Sequence, residues 1–245
     1  MKKNPYINLG AWSSSELDLL IRESSKIKDP GERIDFLSSR FLGTDYAEST
    51  LIGDDKTPEI FVTDLKGVDC FTFIDYVEAM RIAGSFQEFM ENVRQIRYRG
   101  GIVSFGNRNH FFTDWEEGNS AFVHDVTEDI GKSFSRKVSK ILNERGDGTP
   151  LLPGIPPSKR QIKYIPSSAF HPSVVENLRI GDYIGIYAEM LGLDVSHVGI
   201  IIKTATVVHL RHASEKYRKV VDEDFKKYIS DKPGVMILRP RRFQP

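Results

Sequence analysis

The sequence predicts an α+β fold, because helical patterns fill its first part and strand patterns its last part. Amphipathic helical spacing dominates up to Gly84, whereas apolar runs typical of strands follow Gly181. The 245 residues, of which 40% are hydrophobic, can bury a full core without disulfides or metals. Neither an internal repeat nor a separating linker is found. We therefore expect one domain over residues 1–245.

The first two predicted helices have recognisable ends. Ser13 is followed three residues later by Glu16, which is a capping box, and apolar residues then recur at helical spacing through residues 17–27. A second helical pattern follows residues 29–31, which read Asp-Pro-Gly. It ends at Gly43, where chain reversal is easy for a residue without a Cβ atom.

A third helix is predicted from Asp69 to Gly84. One stripe of this segment contains residues spaced at i, i+3, i+4, i+7 and i+10, namely Cys70, Phe73, Ile74, Val77 and Met80. Residues 44–68, which precede it, are expected to form a loop with one short strand at residues 60–62.

The remaining elements are predicted from composition and alternation. Residues 97–115 are rich in glycine and aromatic residues, which favours a loop or hairpin. Residues 146–172 are rich in proline, so we expect an extended, irregular insertion there. The charged stretch 215–232 is expected to be a solvated surface. Strands are predicted in the last part of the chain, at residues 183–187, 195–202, 207–210 and 235–238.

Composition excludes several classes of function. Lys plus Arg and Asp plus Glu each number 34, so no net field attracts nucleic acid, and no apolar run is long enough for a membrane span. The single cysteine, Cys70, excludes an internal disulfide and a multi-cysteine metal site. We expect no metal and no cofactor. The first residues contain no recognisable secretion signal.

Cys70 is the first candidate for chemistry. A thiol is a strong nucleophile as a thiolate, which unpaired amides in the first turn of a helix favour. Asp69 is suited to cap that helix, but its negative charge opposes thiolate formation. A histidine partner is therefore required.

Two strand segments supply candidate histidines: His197 in one, and His209 and His212 in the next. If these strands form a hairpin that turns at Thr204-Ala205, positions whose numbers sum to 409 lie opposite each other, so that His197 faces His212. A shift by one residue would present His209 instead. Strand logic alone leaves both residues open as the third member of the site.

The same residues resemble a known family. Asp69-Cys70 at a helix start, Ser-His-Val-Gly-Ile at 196–200 and His-Ala-Ser at 212–214 are similar to the NlpC/P60 cell-wall peptidases. The stretches YRGG, NRNHFFTDW, LDVSHVGI and LRHAS resemble the DUF1460 branch, whose studied members are N-acetylmuramoyl-L-alanine amidases. The similarity runs from about residue 34 to the C-terminus.

The resemblance implies a papain-like NlpC/P60 fold, with the helix-rich N-terminal part packed on an antiparallel sheet. It also implies a site in which Cys70 is the nucleophile, His197 the base and His212 the third residue. Tyr46 matches the tyrosine near the oxyanion, and Asp69 stands beside the nucleophile. Three further residues are candidates for contact with the substrate: Arg108, His110 and Trp115. A cation beside aromatic rings suits an anionic peptide.

The implied activity is hydrolysis of the amide bond between N-acetylmuramic acid and L-alanine, with peptidoglycan fragments or muropeptides as partners. Three alternatives stay open: a γ-D-glutamyl-diamino-acid endopeptidase, a papain-like acyltransferase, and a binding module that has lost its chemistry. A cell-wall substrate implies an envelope or secreted location. The absence of a recognisable signal leaves a cytoplasmic one open.

Overall fold

A computed structural model describes residues 4–204 and 207–242, which form a large mixed sheet with helices packed against it. The helices are α1 (Ser14–Ser24), α2 (Pro30–Ser39), α3 (Cys70–Arg81), α4 (Phe86–Arg97), α5 (Phe112–Gly118), α6 (Thr127–Gly131), α7 (Pro172–Val175) and α8 (Phe225–Ile229). The strands are β1 (Tyr6–Asn8), β2 (Asp45–Tyr46), β3 (Val62–Asp64), β4 (Gly67–Val68), β5 (Val123–Asp125), β6 (Arg136–Leu142), β7 (Ser158–Pro166), β8 (Tyr183–Tyr187), β9 (Val195–Lys203), β10 (Val208–Ser214), β11 (Lys219–Asp224) and β12 (Gly234–Pro240).

The three predicted N-terminal helices are confirmed as α1, α2 and α3. The capping box of α1 is formed, since the Ser13 hydroxyl accepts from the Glu16 amide at 3.2 Å while Glu16 accepts from the Ser13 amide at 2.7 Å. Asp29 caps α2 by accepting from the amides of Gly31 and Glu32, and Pro30 occupies its first turn. Local polar residues thus define where these helices begin.

Helix α4 is an element that the sequence patterns above did not predict. Ser85 caps the start of α4, because its hydroxyl accepts from the Glu88 amide at 3.2 Å. The helix buries Phe89, Val93 and Ile96. The segment after it, predicted as a loop or hairpin, contains two short 3-10 turns and then α5. No long helix forms there, because the φ angles of Gly100 and Gly101 are positive.

The large sheet runs in the order β4-β2-β11-β10-β9-β8-β12-β7-β6, and β5 also pairs with β12. Its pairs are antiparallel, apart from the parallel pair β2–β4. The sheet is therefore mixed, whereas an antiparallel one was expected. Strands β8, β9, β10 and β12 lie where strand patterns were predicted, although β10 extends four residues further, to Ser214.

The register of the β9–β10 hairpin differs from the predicted one by two residues. Leu210 pairs with Ile201 and Arg211 with Ile200, so opposite positions sum to 411 rather than 409. Because side chains alternate with period two, a shift of two leaves every residue on its predicted face. The predicted turn includes Ala205, which lies outside the described residues.

The prediction of an irregular insertion at residues 146–172 is wrong, and the prediction of a solvated surface at residues 215–232 is incomplete. The proline-rich segment 146–172 contains β7, which pairs antiparallel with β6 over seven residues. Its prolines lie before the strand, at its last residue or after it, and none lies in the strand interior. The charged segment 215–232 contains β11 and α8, and it buries Val220, Phe225 and Ile229. The sequence signal there is the helical spacing of Phe225, Tyr228 and Ile229, which the surrounding lysines obscure.

Helix α3 is anchored to the centre of the sheet by a buried polar network. Glu78 and Arg81 form an ion pair at 2.5 Å, with their side chains 0% and 2% exposed. The hydroxyl of Tyr183 in β8 donates to Glu78 at 2.7 Å, and Arg81 donates to the backbone carbonyls of Phe122 and Arg241. The C-terminal end of α3 is thereby joined to β8 and to the segments that contain Phe122 and Arg241. Among the described helices, none is long and apolar enough to cross a membrane.

Candidate active site

Cys70 is the first residue of α3, as predicted. Its neighbour Asp69 caps the helix: the carboxylate accepts from the Thr72 amide at 2.7 Å, and the Thr72 hydroxyl accepts from the Asp69 amide at 2.9 Å. The thiol is half-buried. The cap therefore fixes the backbone on which the thiol is carried.

The surroundings of Cys70 favour the neutral thiol. Burial raises the pKa of Cys70 to about 12, and the negative charge of Asp69 acts in the same direction. Backbone hydrogen bonds to Val198, Cys70 and Phe71 oppose that rise without cancelling it. The helix terminus alone does not produce a thiolate, so any activation requires a base.

His197 lies in β9, one residue before Val198, and its ring contacts that of His212 in β10. The Nε2 atom of His197 is 2.7 Å from the Nδ1 atom of His212. Gly199 makes this approach possible, because a Cβ atom at Gly199 would lie 3.1 Å from the Cβ of His212 and 3.0 Å from the carbonyl oxygen of Arg211. Burial lowers the pKa of His197 to about 3, and the positive charge of Lys232, together with that of His212 whenever it is protonated, acts in the same direction. His197 is thus a neutral imidazole.

The hairpin brings His212 to His197, and it does not bring His209 there. His209 lies three positions away on the same strand, on the other face, where it pairs with Ile202. Its Nδ1 atom is buried without a hydrogen-bond partner among residues 4–204 and 207–242. The geometry therefore favours His212 over His209 as the partner of His197.

His212 has a second partner that the sequence did not reveal, the carboxylate of Glu223 in β11. The Nε2 atom of His212 is 2.9 Å from Oε1 of Glu223. His212 is 2% exposed, whereas the Glu223 side chain is 23% exposed. Burial lowers the pKa of His212, and the hydrogen bond to Glu223 opposes that shift. Three neighbouring strands thus contribute a continuous chain of polar groups.

Tyr46 is placed beside the helix start by the short parallel pair of β2 with β4. Tyr46 pairs with Val68, two residues before Cys70, and is half-buried. Burial raises the pKa of Tyr46 to about 12, and the charged form of Cys70 contributes to that rise, so the two groups interact. Within the described parts of the chain, the Tyr46 hydroxyl has no hydrogen-bond partner.

Tyr228 in α8 is a second aromatic residue at the site, and sequence analysis did not predict it. Its ring centroid is 5.0 Å from that of His212 and 6.1 Å from that of His197. Burial raises its pKa, with Glu223 and Cys70 contributing. Tyr228 therefore covers the two imidazoles.

A cavity of about 1080 Å³ opens beside the histidines. His197, His212, Glu223, Tyr228 and Lys232 are among its lining residues. Cys70 is not among its lining residues. The cavity gives ligands access to the side of the site where the two histidines lie.

The three residues predicted to contact a substrate have partners inside the protein. Arg108 is bound bidentately by Glu59, at 2.7 and 2.6 Å. Burial lowers the pKa of His110 to about 4, and its ring nitrogen donates to the carbonyl of Phe105 at 2.8 Å. Trp115 is fully buried and donates to Asp75 at 3.0 Å. These contacts support the loop and the core, and a role in substrate binding stays a prediction.

The described residues contain no group of three or more His, Cys, Asp or Glu side chains that could hold a metal ion. The groups brought together are a thiol, two imidazoles, a carboxylate and two phenols. Such a set is suited to nucleophilic acyl transfer with proton transfer through imidazole.

Comparison with known proteins gives matches in families and in solved structures. Residues 36–235 match the family described as AmiA-like, N-acetylmuramoyl-L-alanine amidase-like. A Legionella pneumophila protein of the DUF1460 family shares the fold, with 23% identity, a TM-score of 0.79 and 95% of each chain covered. So does an N-acetylmuramoyl-L-alanine amidase from Bacteroides uniformis, with 24% identity, a TM-score of 0.73, and 86% of this chain and 99% of that one covered.

A further solved structure carries a different name. It is a Bacteroides fragilis protein provisionally named a xylanase, with 28% identity, a TM-score of 0.69, and 82% of this chain and 98% of that one covered. Comparison with curated proteins found no match.

Proposed function

The chain belongs to the AmiA-like family of N-acetylmuramoyl-L-alanine amidase-like proteins, and from that premise we propose that it hydrolyses the amide bond between N-acetylmuramic acid and L-alanine in peptidoglycan. We assign Cys70 as nucleophile, His197 as base and His212 as the residue that orients the base. The observation that carries this assignment is the pairing of His197 with His212, one residue from the backbone group that hydrogen-bonds the thiol.

The first step forms a thioester. The Nε2 atom of His197 is occupied by His212, which leaves Nδ1 as the nitrogen able to accept the thiol proton. As the proton moves to His197, the sulfur attacks the amide carbon and an oxyanion forms. His197 then protonates the leaving nitrogen of L-alanine, the carbon–nitrogen bond breaks, and the free amine departs.

The second step is hydrolysis. His197 takes a proton from water, the resulting hydroxide attacks the thioester carbon, and the sulfur leaves and recovers its proton from His197. The backbone amide of Cys70 and the hydroxyl of Tyr46 are the proposed oxyanion donors, because Tyr46 lies near Cys70 and its hydroxyl is free within the described residues. Each such donor is worth about 2.7–4 kcal/mol in related sites.

The arrangement also supports the finer assignment of the fold. A thiol on the first turn of a helix, with imidazoles on adjacent antiparallel strands, is the arrangement implied by a papain-like NlpC/P60 fold, and we propose that residues 1–245 form one such catalytic domain. A glycosidase, the class to which a xylanase belongs, instead requires two carboxyl groups across the scissile bond. The proposed substrate places the action of the protein at the cell envelope.

Mass spectrometry of muropeptide digests tests the activity. The reduced wild-type protein is expected to release intact stem peptides that carry a free L-alanine amine. The Cys70→Ser variant, which differs by one atom, is expected to release none. Release of a diamino-acid fragment would instead indicate a γ-D-glutamyl endopeptidase, and amide products formed with added amines would indicate an acyltransferase. Muropeptides left intact by the wild-type protein would contradict a cell-wall function altogether.

A further inference from the structure

We propose that Glu223 is a positioning residue that orients the protons of both histidines, so that His197 presents an unprotonated Nδ1 atom toward Cys70. This inference rests on the proposed thiol mechanism. Glu223 itself does not touch the reacting atoms. It acts through His212, which lies between it and the base.

The direction of the proton chain follows from the contacts. A carboxylate only accepts hydrogen bonds, so Nε2 of His212 must carry the proton that bonds Glu223 at 2.9 Å. A neutral His212 then has a lone pair on Nδ1, which accepts the proton on Nε2 of His197 at 2.7 Å. A neutral His197 therefore has its lone pair on Nδ1. Reversing either bond would leave Glu223 facing a lone pair.

Burial of His212 stabilises this direction of the two hydrogen bonds. His212 is 2% exposed, so water does not compete effectively for its ring nitrogens. Asp222, the neighbouring acid on β11, is engaged by Arg211 at 2.7 Å instead. Cys70, Tyr228 and Lys232 also lie close to the imidazoles. Further charged residues line the same cavity: Glu215, Lys216, Asp224, Lys227 and Asp231. Among the described residues, Glu223 is the carboxylate that is hydrogen-bonded to His212.

Glu223 also has an effect on charge. When His197 accepts the thiol proton, the positive charge lies next to His212, and the carboxylate of Glu223 stabilises it across one imidazole. Three substitutions separate these effects. Glu223→Asp keeps the charge, Glu223→Gln keeps the shape but can present either an oxygen or an NH₂ group, and Glu223→Ala removes both.

Nitrogen NMR of ¹⁵N-histidine-labelled protein tests the orientation without any substrate. In the wild-type protein, both His197 and His212 are expected to be protonated at Nε2. In Glu223→Gln and Glu223→Ala we expect a mixture of ring tautomers. The control is Glu176→Gln, an isosteric change at an exposed residue. Unchanged tautomers in both Glu223 variants would overturn the proposal.

Reactivity and kinetics test the consequence. We expect Glu223→Gln to lower kcat about 10-fold and Glu223→Ala about 100-fold, with little change in KM, and Glu223→Asp to recover most of the rate. Alkylation of Cys70 by iodoacetamide near neutral pH should slow by a similar factor.

These readouts separate the two ideas. If the wild-type protein cuts no muropeptide, the proposed function fails, while tautomers and alkylation rates still decide whether Glu223 orients the histidines. If Glu223→Gln keeps the wild-type kcat, pH profile and alkylation rate, Glu223 has no positioning role. A loss of rate that Glu223→Asp does not recover would also contradict it.

Discussion

At the scale of single residues, the site combines a thiol whose pKa is raised with an imidazole whose pKa is lowered. Burial causes both shifts, since each charged form is poorly solvated. The resting pair is therefore thiol and neutral imidazole rather than thiolate and imidazolium. In the proposed mechanism the proton moves to His197 as the substrate is attacked, so the mechanism requires the basic nitrogen of His197.

This protonation state predicts an unusual pH dependence. His197 loses its function as a base when protonated, and a pKa of about 3 means that this happens only in strong acid. We therefore expect kcat/KM at pH 5 to remain close to its value at pH 7, with circular dichroism used to verify that the protein stays folded. An acid limb near 6.5, the ordinary pKa of histidine, would contradict the neutral pair.

Substitution of each strand histidine tests the identity of the third residue. His212→Ala removes the group that holds His197 and is expected to lower kcat by about 10²–10⁴, as loss of acid–base catalysis does. His209→Ala should leave kcat nearly unchanged, because His209 lies on the other face of β10. Both variants are compared at matched stability. An inactive His209→Ala beside an active His212→Ala would reverse the assignment.

Sequence analysis could predict those site residues whose chemistry is visible locally. The sequence indicates Cys70 through its place at a helix start and His197 through its strand, whereas the strands leave His209 and His212 open and only the family resemblance favours His212. The sequence does not indicate Glu223, because a glutamate in a charged segment has the same local pattern whether its side chain faces water or an imidazole. The pairing of β11 with β10 is what shows that Glu223 faces His212.

At the scale of elements, Asp69 has two opposing effects at the start of α3. Asp69 stabilises the helix by accepting from the Thr72 amide, yet its charge raises the pKa of the adjacent thiol. Among capping residues, asparagine can make the same hydrogen bond without the charge. The two effects can therefore be separated by substitution.

We predict that Asp69→Ala and Asp69→Asn differ in stability but agree in their effect on the thiol. Asp69→Ala should lower the free energy of unfolding by about 1 kcal/mol through loss of the cap, whereas Asp69→Asn should lower it much less. Both should lower the pKa of Cys70. Urea unfolding and the pH dependence of iodoacetamide labelling measure the two properties. A thiol pKa unchanged in Asp69→Asn would contradict the electrostatic effect of Asp69.

Element boundaries were predicted well where capping residues define them, and less well where pairing does. The β9–β10 register was shifted by two residues, because the length of a turn is not encoded by strand alternation. Each histidine still lies on its predicted face, because the shift of two residues equals the period with which side chains alternate. Strand β7 was missed because prolines flank it, although none lies in its interior.

At the scale of the whole molecule, α3 is joined to the sheet and the C-terminal segment through Glu78 and Arg81. Both side chains are almost fully buried, so the charge of each is stabilised by the other rather than by water. Tyr183 and the carbonyls of Phe122 and Arg241 complete the set of hydrogen bonds. The position of α3, and with it that of Cys70, thus depends on contacts distant from the thiol.

Removing one partner tests this dependence. Arg81→Met leaves the Glu78 carboxylate buried without its counter-ion, and we expect a loss of about 3–5 kcal/mol in the free energy of unfolding. Arg22→Met serves as a control, because its ion pair with Asp18 is on the surface and its loss should not change stability measurably. Denaturant unfolding of both proteins gives the comparison. Equal stabilities would show that the buried pair contributes little.

The three strands β9, β10 and β11 that carry His197, His212 and Glu223 follow one another along the chain, whereas Cys70 comes from a distant helix. Contacts between neighbouring hairpin strands form quickly, while contacts that close a long loop form late. A refolding chain should consequently pass through a stage in which the imidazoles are already assembled and the only thiol is still bare. That thiol is then open to oxidation and to cross-linking between chains. Refolding under a reducing agent should therefore give a higher yield of monomer than refolding in air.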